Sequence, residues 1–100
     1  MIVNIQAPKK VPDDTYIFIR EKMQKLDSFF DAVIHADVYL KEEKKNPVKG
    51  KIVKIQLFLP GPDIFAVDKA DTYQKAFSFA LADIRKQLIK QKEERYTLKK

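Results

Sequence analysis

IVKIQLFLPGPDIFAV, residues 52–67, is the stretch on which the fold turns. Val53, Ile55, Leu57 and Leu59 alternate with Lys54, Gln56 and Phe58, the period of two that a β-strand with one buried face requires. Pro60-Gly61-Pro62-Asp63 cannot prolong that strand, since each proline lacks the N–H that a ladder needs, and so makes a tight turn. Ile64 to Val67 then returns as a further strand, and the segment reads as an antiparallel hairpin.

Working back toward the N-terminus, Ile34, Ala36, Val38 and Leu40 alternate with His35, Asp37, Tyr39 and Lys41, a second half-exposed strand. The charged stretch from Lys41 to Lys51, broken by Asn46-Pro47 and Gly50, is expected to be the connection between the two. Met1 to Gln6 alternates as well and opens the sheet. Between these strands, after a loop from Ala7 to Pro12, Asp13 or Asp14 is expected to cap a helix reaching about Phe30. Its apolar stripe, Tyr16, Ile19, Met23, Leu26 and Phe30, is spaced three, four, three, four.

Beyond the hairpin, a second helix is expected from Ala70 to about Arg95, with Asp71 as N-cap. Tyr73, Ala76, Phe77, Ala80, Ile84 and Leu88 form its buried side. The element order is therefore β-α-β-β-β-α, an α+β fold. The first crossover is long enough to hold a helix, so the first two strands are expected to be parallel neighbours. The last three form an antiparallel meander. Each helix has a single apolar stripe, so both are expected on one face of a four-stranded mixed sheet, leaving His35, Tyr39, Lys54 and Gln56 on the watered face.

A chain of 100 residues suits one domain, residues 1–100, and 45% hydrophobic content with interspersed charge argues against disorder. There is no cysteine, which excludes disulfides and thiolate metal sites. No stretch approaches the roughly 18 to 20 apolar residues that span a bilayer. Met1 to Gln6 lacks the pattern of a signal peptide, so cytoplasmic residence is the expectation. The formal net charge is +6, and from Arg85 onward seven Lys or Arg stand against two Glu. The rest of the chain is almost neutral, so the charge forms a pole suited to an anionic partner.

Three segments resemble a known family. Lys22-Met23-Gln24-Lys25-Leu26 with Phe29-Phe30-Asp31 is similar to the K-x-x-K-L-x-x-[YF]-F-D stretch of the bacterial ribosome hibernation promoting factors, also called ribosome-associated inhibitors or the sigma-54 modulation family. Leu40-Lys41-Glu42-Glu43-Lys44 is similar to that family's L-K-x-E-K, and Asp71-Thr72-Tyr73 to its D-x-Y. The resemblance runs along essentially the whole chain in the right order and implies the short form of the family. It implies a non-enzymatic factor that binds the small ribosomal subunit, occupies the channel for messenger and transfer RNA, and blocks translation during stress or stationary phase. It implies no cofactor, no metal and no membrane, and a monomer away from the ribosome.

The charges give that expectation an address. At about 100° per residue, Lys75, Lys86 and Lys90 cluster opposite the buried stripe of the last helix, and Arg85 and Lys92 fall along one flank. With the helices side by side, Lys22 and Lys25 extend one basic row into a groove for the phosphates of folded RNA. Lys41 and Lys44, in the second of the family-like segments, complete the expected RNA-binding set. Phe18, Phe79 and Ile89 lie off the buried stripes as further contact candidates. His35, the only histidine, has no partnering ligand in the sequence pattern.

Two other binding classes fit the same pattern. After its first strand the chain has the element order of a double-stranded-RNA-binding module, which would take free duplexes. A protein-interaction module using Phe79 and Ile89 would bind with little dependence on salt. An acylphosphatase-like enzyme fits less well, because its phosphate loop needs glycines and an arginine where this chain has Ala7-Pro8-Lys9-Lys10-Val11-Pro12. No nucleophile, metal or P-loop motif is present.

Overall fold

The computed structural model describes residues 1–30, 32–45 and 48–98, with side chains described up to residue 93. Its elements are β1 (Ile2–Gln6), α1 (Asp13–Phe29), β2 (His35–Glu42), β3 (Lys51–Phe58), β4 (Ile64–Ala70) and α2 (Tyr73–Leu98). One sheet holds the strands in the order β1-β2-β3-β4. β1 is parallel to β2, and the β2–β3 and β3–β4 pairs are antiparallel, the mixed sheet expected from the pattern.

Alternation decides which side of each strand is buried. Ala36, Val38 and Leu40 of β2, Val53, Ile55 and Leu57 of β3, and Ile64, Ala66 and Ala70 of β4 all lie in the core. Both helices cover that face, α2 across β3 and β4, and α1 beside α2 and against β1. The α2 stripe from Tyr73 to Leu88 is buried at every expected position, joined by Leu81. The α1 stripe differs at its margins: Ile19, Met23 and Leu26 are fully enclosed, whereas Tyr16 and Phe30 are half-buried and Thr15 takes the inner place of the first turn. Where the helices meet, Phe18 packs edge to face on Phe77, with centroids 6.1 Å apart. Phe18 is thus part of the inter-helix contact rather than a free surface ring.

The boundaries shift where local hydrogen bonding overrides periodicity. β4 runs past Val67 to Ala70, which pairs with Lys51, so α2 starts at Tyr73 instead of Ala70. The cap is Thr72, not Asp71: Thr72 Oγ1 accepts the Lys75 N–H at 3.1 Å, while the Asp71 carboxylate pairs with Lys75 Nζ at 3.3 Å. α1 carries Pro12 at its N-cap with no side-chain bond, and Asp13 and Asp14 sit in the first turn, where carboxylates favour the positive end of the helix dipole. Ile34 lies before β2 and is 60% exposed, because Val33 fills the buried place next to it.

The β2–β3 connection is shorter than Lys41 to Lys51, since Lys41 pairs with Ile52 and Glu42 with Lys51, and the Glu43 N–H donates to the Gly50 carbonyl at 2.7 Å. The Asn46-Pro47 breaker lies outside the described residues. The turn after β3 uses Gly61 at φ +125°, a conformation that side-chain-bearing residues rarely adopt. On β4, the carbonyl of Phe65 accepts a hydrogen bond from Gln87 Nε2 of α2 at 3.0 Å.

Candidate nucleic-acid interface

The two helices follow strands that run the same way, β1 and β4, and so lie parallel to one another. Phe18 meets Phe77 near their starts, and Phe29 and Phe30 meet Leu88 and Lys92 further on. That register decides which charged rows face each other. On α1, Lys22, Lys25 and Phe29 follow at spacings of three and four and share a side of the helix. On α2, Arg85, Ile89 and Lys92 do the same.

Phe29, Phe30, Arg85, Ile89, Lys92 and Glu93 line one concavity of about 460 Å³, where the end of α1 meets the α2 row. A narrower slot of about 130 Å³ reaches from Phe29 and Lys92 down to Leu59 and Leu88 at the edge of the core. Phe29 is 70% exposed and Ile89 49%, so the groove sets apolar surface beside the α2 cations Arg85 and Lys92. Phe29 escapes a reading by periodicity, because Phe30 occupies the stripe position beside it. Its only sequence signal is its place in the Phe-Phe-Asp segment.

Arg85 and Lys92 share this groove with one carboxylate, Glu93. Among the described residues, Lys22, Lys25, Arg85, Lys86, Lys90 and Lys92 have no acidic partner. The pairing of Glu21 with Lys25 that their spacing allows does not form, and Glu94, the spaced partner of Lys90, lies outside the described side chains. Lys22 is half-buried, with Nζ 5.5 Å from the centre of the Phe18 ring, so the inter-helix aromatic pair restrains its ammonium. Lys75 stands on the outer side of α2 with Lys86 and Lys90 but is the one of that row tied to a carboxylate, Asp71.

The remaining candidates lie elsewhere. Lys41 is on the sheet face opposite the helices, beside Tyr39, Ile52, Lys54 and Val67, and Lys44 is exposed in the β2–β3 connection. The structure therefore brings Arg85 and Lys92 together at one groove, leaves Lys22 and Lys25 on α1 outside its lining, sets Lys75, Lys86 and Lys90 on the adjoining outer row of α2, and separates Lys41 and Lys44 from both.

Near the start of α2, Lys51 donates to Glu42 at 2.7 Å and lies 5.2 Å from the Tyr73 ring. The hydrogen bond raises the Lys51 pKa and lowers that of Glu42. Burial raises that of Tyr73. These groups tie strand to helix. Among the described residues no group of His, Asp or Glu is arranged to hold a metal, and no helix is long and apolar enough to cross a membrane.

Residues 3–96 match the family model described as Sigma 54 modulation protein / S30EA ribosomal protein. The chain belongs to this family. No curated protein sequence matches the chain. The fold of this S30EA-family chain is shared with a ribosomal subunit interface protein from Coxiella burnetii, at a TM-score of 0.81 and 20% identity, over 93% of this chain and 99% of that one. It is shared too with the N-terminal domain of Protein Y from Thermus thermophilus, at a TM-score of 0.71 and 20% identity, over 88% of this chain and 96% of that one. At such identity the likeness concerns the fold. The family model is what bears on the motifs, since it spans all three segments that resemble the hibernation factors.

Proposed function

We propose that this chain is a non-enzymatic ribosome-binding inhibitor that seats its two-helix layer on the small subunit, in the channel where messenger and transfer RNA pass. The observation that carries the reading is the row Arg85 and Lys92 on α2, cations with no salt-bridge partner among the described residues, in a chain of the S30EA family whose α1 adds Lys22 and Lys25. Folded rRNA presents closely spaced phosphates along grooves of fixed shape, and a rigid helix layer carrying ammonium and guanidinium groups complements them. Arg85 can grip a phosphate with two N–H groups, whereas the lysines act as point charges. Lys75, Lys86 and Lys90 widen the basic surface on the outer side. Inhibition then follows from occupancy, with no bond made or broken and no cofactor needed. The names of its structural relatives, a ribosomal subunit interface protein and Protein Y, agree with this reading.

The test is co-sedimentation with purified small subunits across a salt series, using the wild type and the Lys86→Glu, Lys90→Glu double variant. Binding should be firm at low salt, fall steeply as salt rises and be lost in the variant. Failure of the wild type to sediment at low salt, or equal binding of the variant, would end the proposal. Free RNA duplex as competitor separates the reading from a general double-strand binder, since a ribosome factor keeps its subunit in the presence of excess duplex.

A further inference from the structure

The sheet face turned away from the helices has a chemistry of its own, which the ribosome reading does not use. Lys54, on β3, extends its ammonium between two rings, 5.9 Å from the centre of Tyr39 on β2 and 5.6 Å from that of Phe65 on β4. Phe65 is 59% exposed and Val67, next on the same side of β4, is 48% exposed. Tyr39, Lys41, Lys54 and Val67 border a shallow concavity of about 330 Å³.

The charge of this face is one-sided. Among the described strand residues turned this way, the one carboxylate is Asp37, and both its oxygens are engaged, one by His35 at 2.6 Å and the other by the Tyr39 hydroxyl at 3.2 Å. Lys41 and Lys54 have no acidic partner among the described residues. Exposed rings beside unpaired ammonium groups fit a ligand that offers flat π-surfaces and anions together. Single-stranded RNA does so, with bases free to stack and a phosphate between each pair. A duplex hides its bases. A second copy of this chain is a poor occupant, because a two-fold contact through this face would set Lys41 and Lys54 against the same lysines. Tyr39 and Phe65 stand two strands apart and two residues out of step, about 12 Å at the usual strand spacing and rise, so each ring takes its own base.

We propose that this face is a second nucleic-acid site, on which a short single-stranded RNA lays one base on Phe65 and another on Tyr39, with the phosphate between them held by Lys54 and Lys41.

The experiment is fluorescence anisotropy of labelled oligouridine and oligoadenosine, about ten nucleotides long and so within the span of a small single-strand site, titrated with the full chain at low salt. Both should bind, and Phe65→Ala should weaken them about fivefold or more, the loss expected for one stacked base. Tyr39→Ala should do the same, while Tyr39→Phe and Phe65→Trp, which keep a ring, should bind as the wild type does. Because Phe65 is already mostly exposed, its alanine variant keeps the fold, and circular dichroism checks this. Phe65→Ala should still co-sediment with small subunits, and the Lys86→Glu, Lys90→Glu variant should keep its oligomer binding within about threefold, since it alters neither ring.

No binding by the wild type, or equal binding by wild type and Phe65→Ala, overturns the proposal and leaves the ribosome reading standing. Concentration-dependent dimers in analytical ultracentrifugation that Phe65→Ala dissolves would overturn it in favour of self-association. Loss of subunit binding with oligomer binding intact would reject the ribosome reading alone.

Discussion

His35 Nε2 stands 2.6 Å from Oδ1 of Asp37, two residues along β2, on the side of the sheet away from the helices. The His35 hydrogen bond is the main reason the Asp37 carboxyl is held below its ordinary value of 3.8, and the Tyr39 hydroxyl adds to it. A carboxylate with a depressed pKa contributes stability that is fully present above the unfolded value and is lost as pH falls through the folded one. The wild type should therefore lose thermal stability on acidification below about pH 4 more steeply than Asp37→Asn. Melting followed by circular dichroism at neutral pH and at about pH 2.5 checks this. The variant should be the less stable at neutral pH, and the gap should close in acid.

The cap of α2 makes a second case. Thr72 Oγ1 accepts the Lys75 N–H, and Thr72→Ala leaves that donor to water at a cost of about 1 kcal/mol, or roughly 4–8 °C in melting temperature for a domain of this size. Asp71→Ala removes only an exposed ion pair with Lys75 and should change stability by less than about half as much. The reverse order would make Asp71 the cap.

Phe77 and Phe79 lie two residues apart on α2 and should behave oppositely. Phe77 is fully enclosed and carries the edge-to-face contact with Phe18, so Phe77→Ala should cost about 3–5 kcal/mol, a large share of the stability of a small domain. Phe79 is 56% exposed, and its alanine variant should stay within about 0.5 kcal/mol of wild type. Urea denaturation measures both.

Under the proposed ribosome binding, salt dependence ranks the basic residues. Each lysine or arginine that neutralises a phosphate contributes about one to the slope of log affinity against log salt, so Lys25→Ala and Lys92→Ala should each lower the slope by about that amount. Lys75→Ala should lower it less, because Asp71 already balances that ammonium. Arg85→Lys should keep the slope and weaken binding, through loss of two-point contact with phosphate.

The fold could be read from this sequence because its information is periodic. Val53, Ile55 and Leu57 on β3, or Ala76, Phe77, Ala80, Ile84 and Leu88 on α2, declare a buried side by spacing alone. Leu81 carries the same signal, four residues after Phe77 and three before Ile84, although a stripe drawn through Ala76 and Ala80 passes it by. Thr72 and Ala70 were missed for a different reason: strand end and helix cap are decided by which acceptor reaches which N–H, and Asp and Thr compete for the cap on nearly equal terms. The basic rows could be assigned to helix sides in advance, whereas the concavity that joins Arg85 and Lys92 to Phe29 needed the register of the two helices. Lys41 shares a family-like segment with Lys44, yet strand alternation turns it to the other face of the sheet. Lys54 and Phe65, two residues off a strand-to-strand pair, come together only through the β3–β4 register.

The bond from Gln87 to the Phe65 carbonyl has a consequence for how the molecule behaves in a crowd. β4 closes one border of the sheet, and a border strand with Phe65 and Val67 exposed is a template on which another chain could add a strand of its own. Gln87 occupies one of the acceptors such a newcomer would need, and the charged Lys69 further along β4 discourages the rest. Gln87→Leu should reopen that acceptor, and light scattering on concentration should then rise above the wild type. A single amide of the last helix thus helps keep each chain from polymerising with the next.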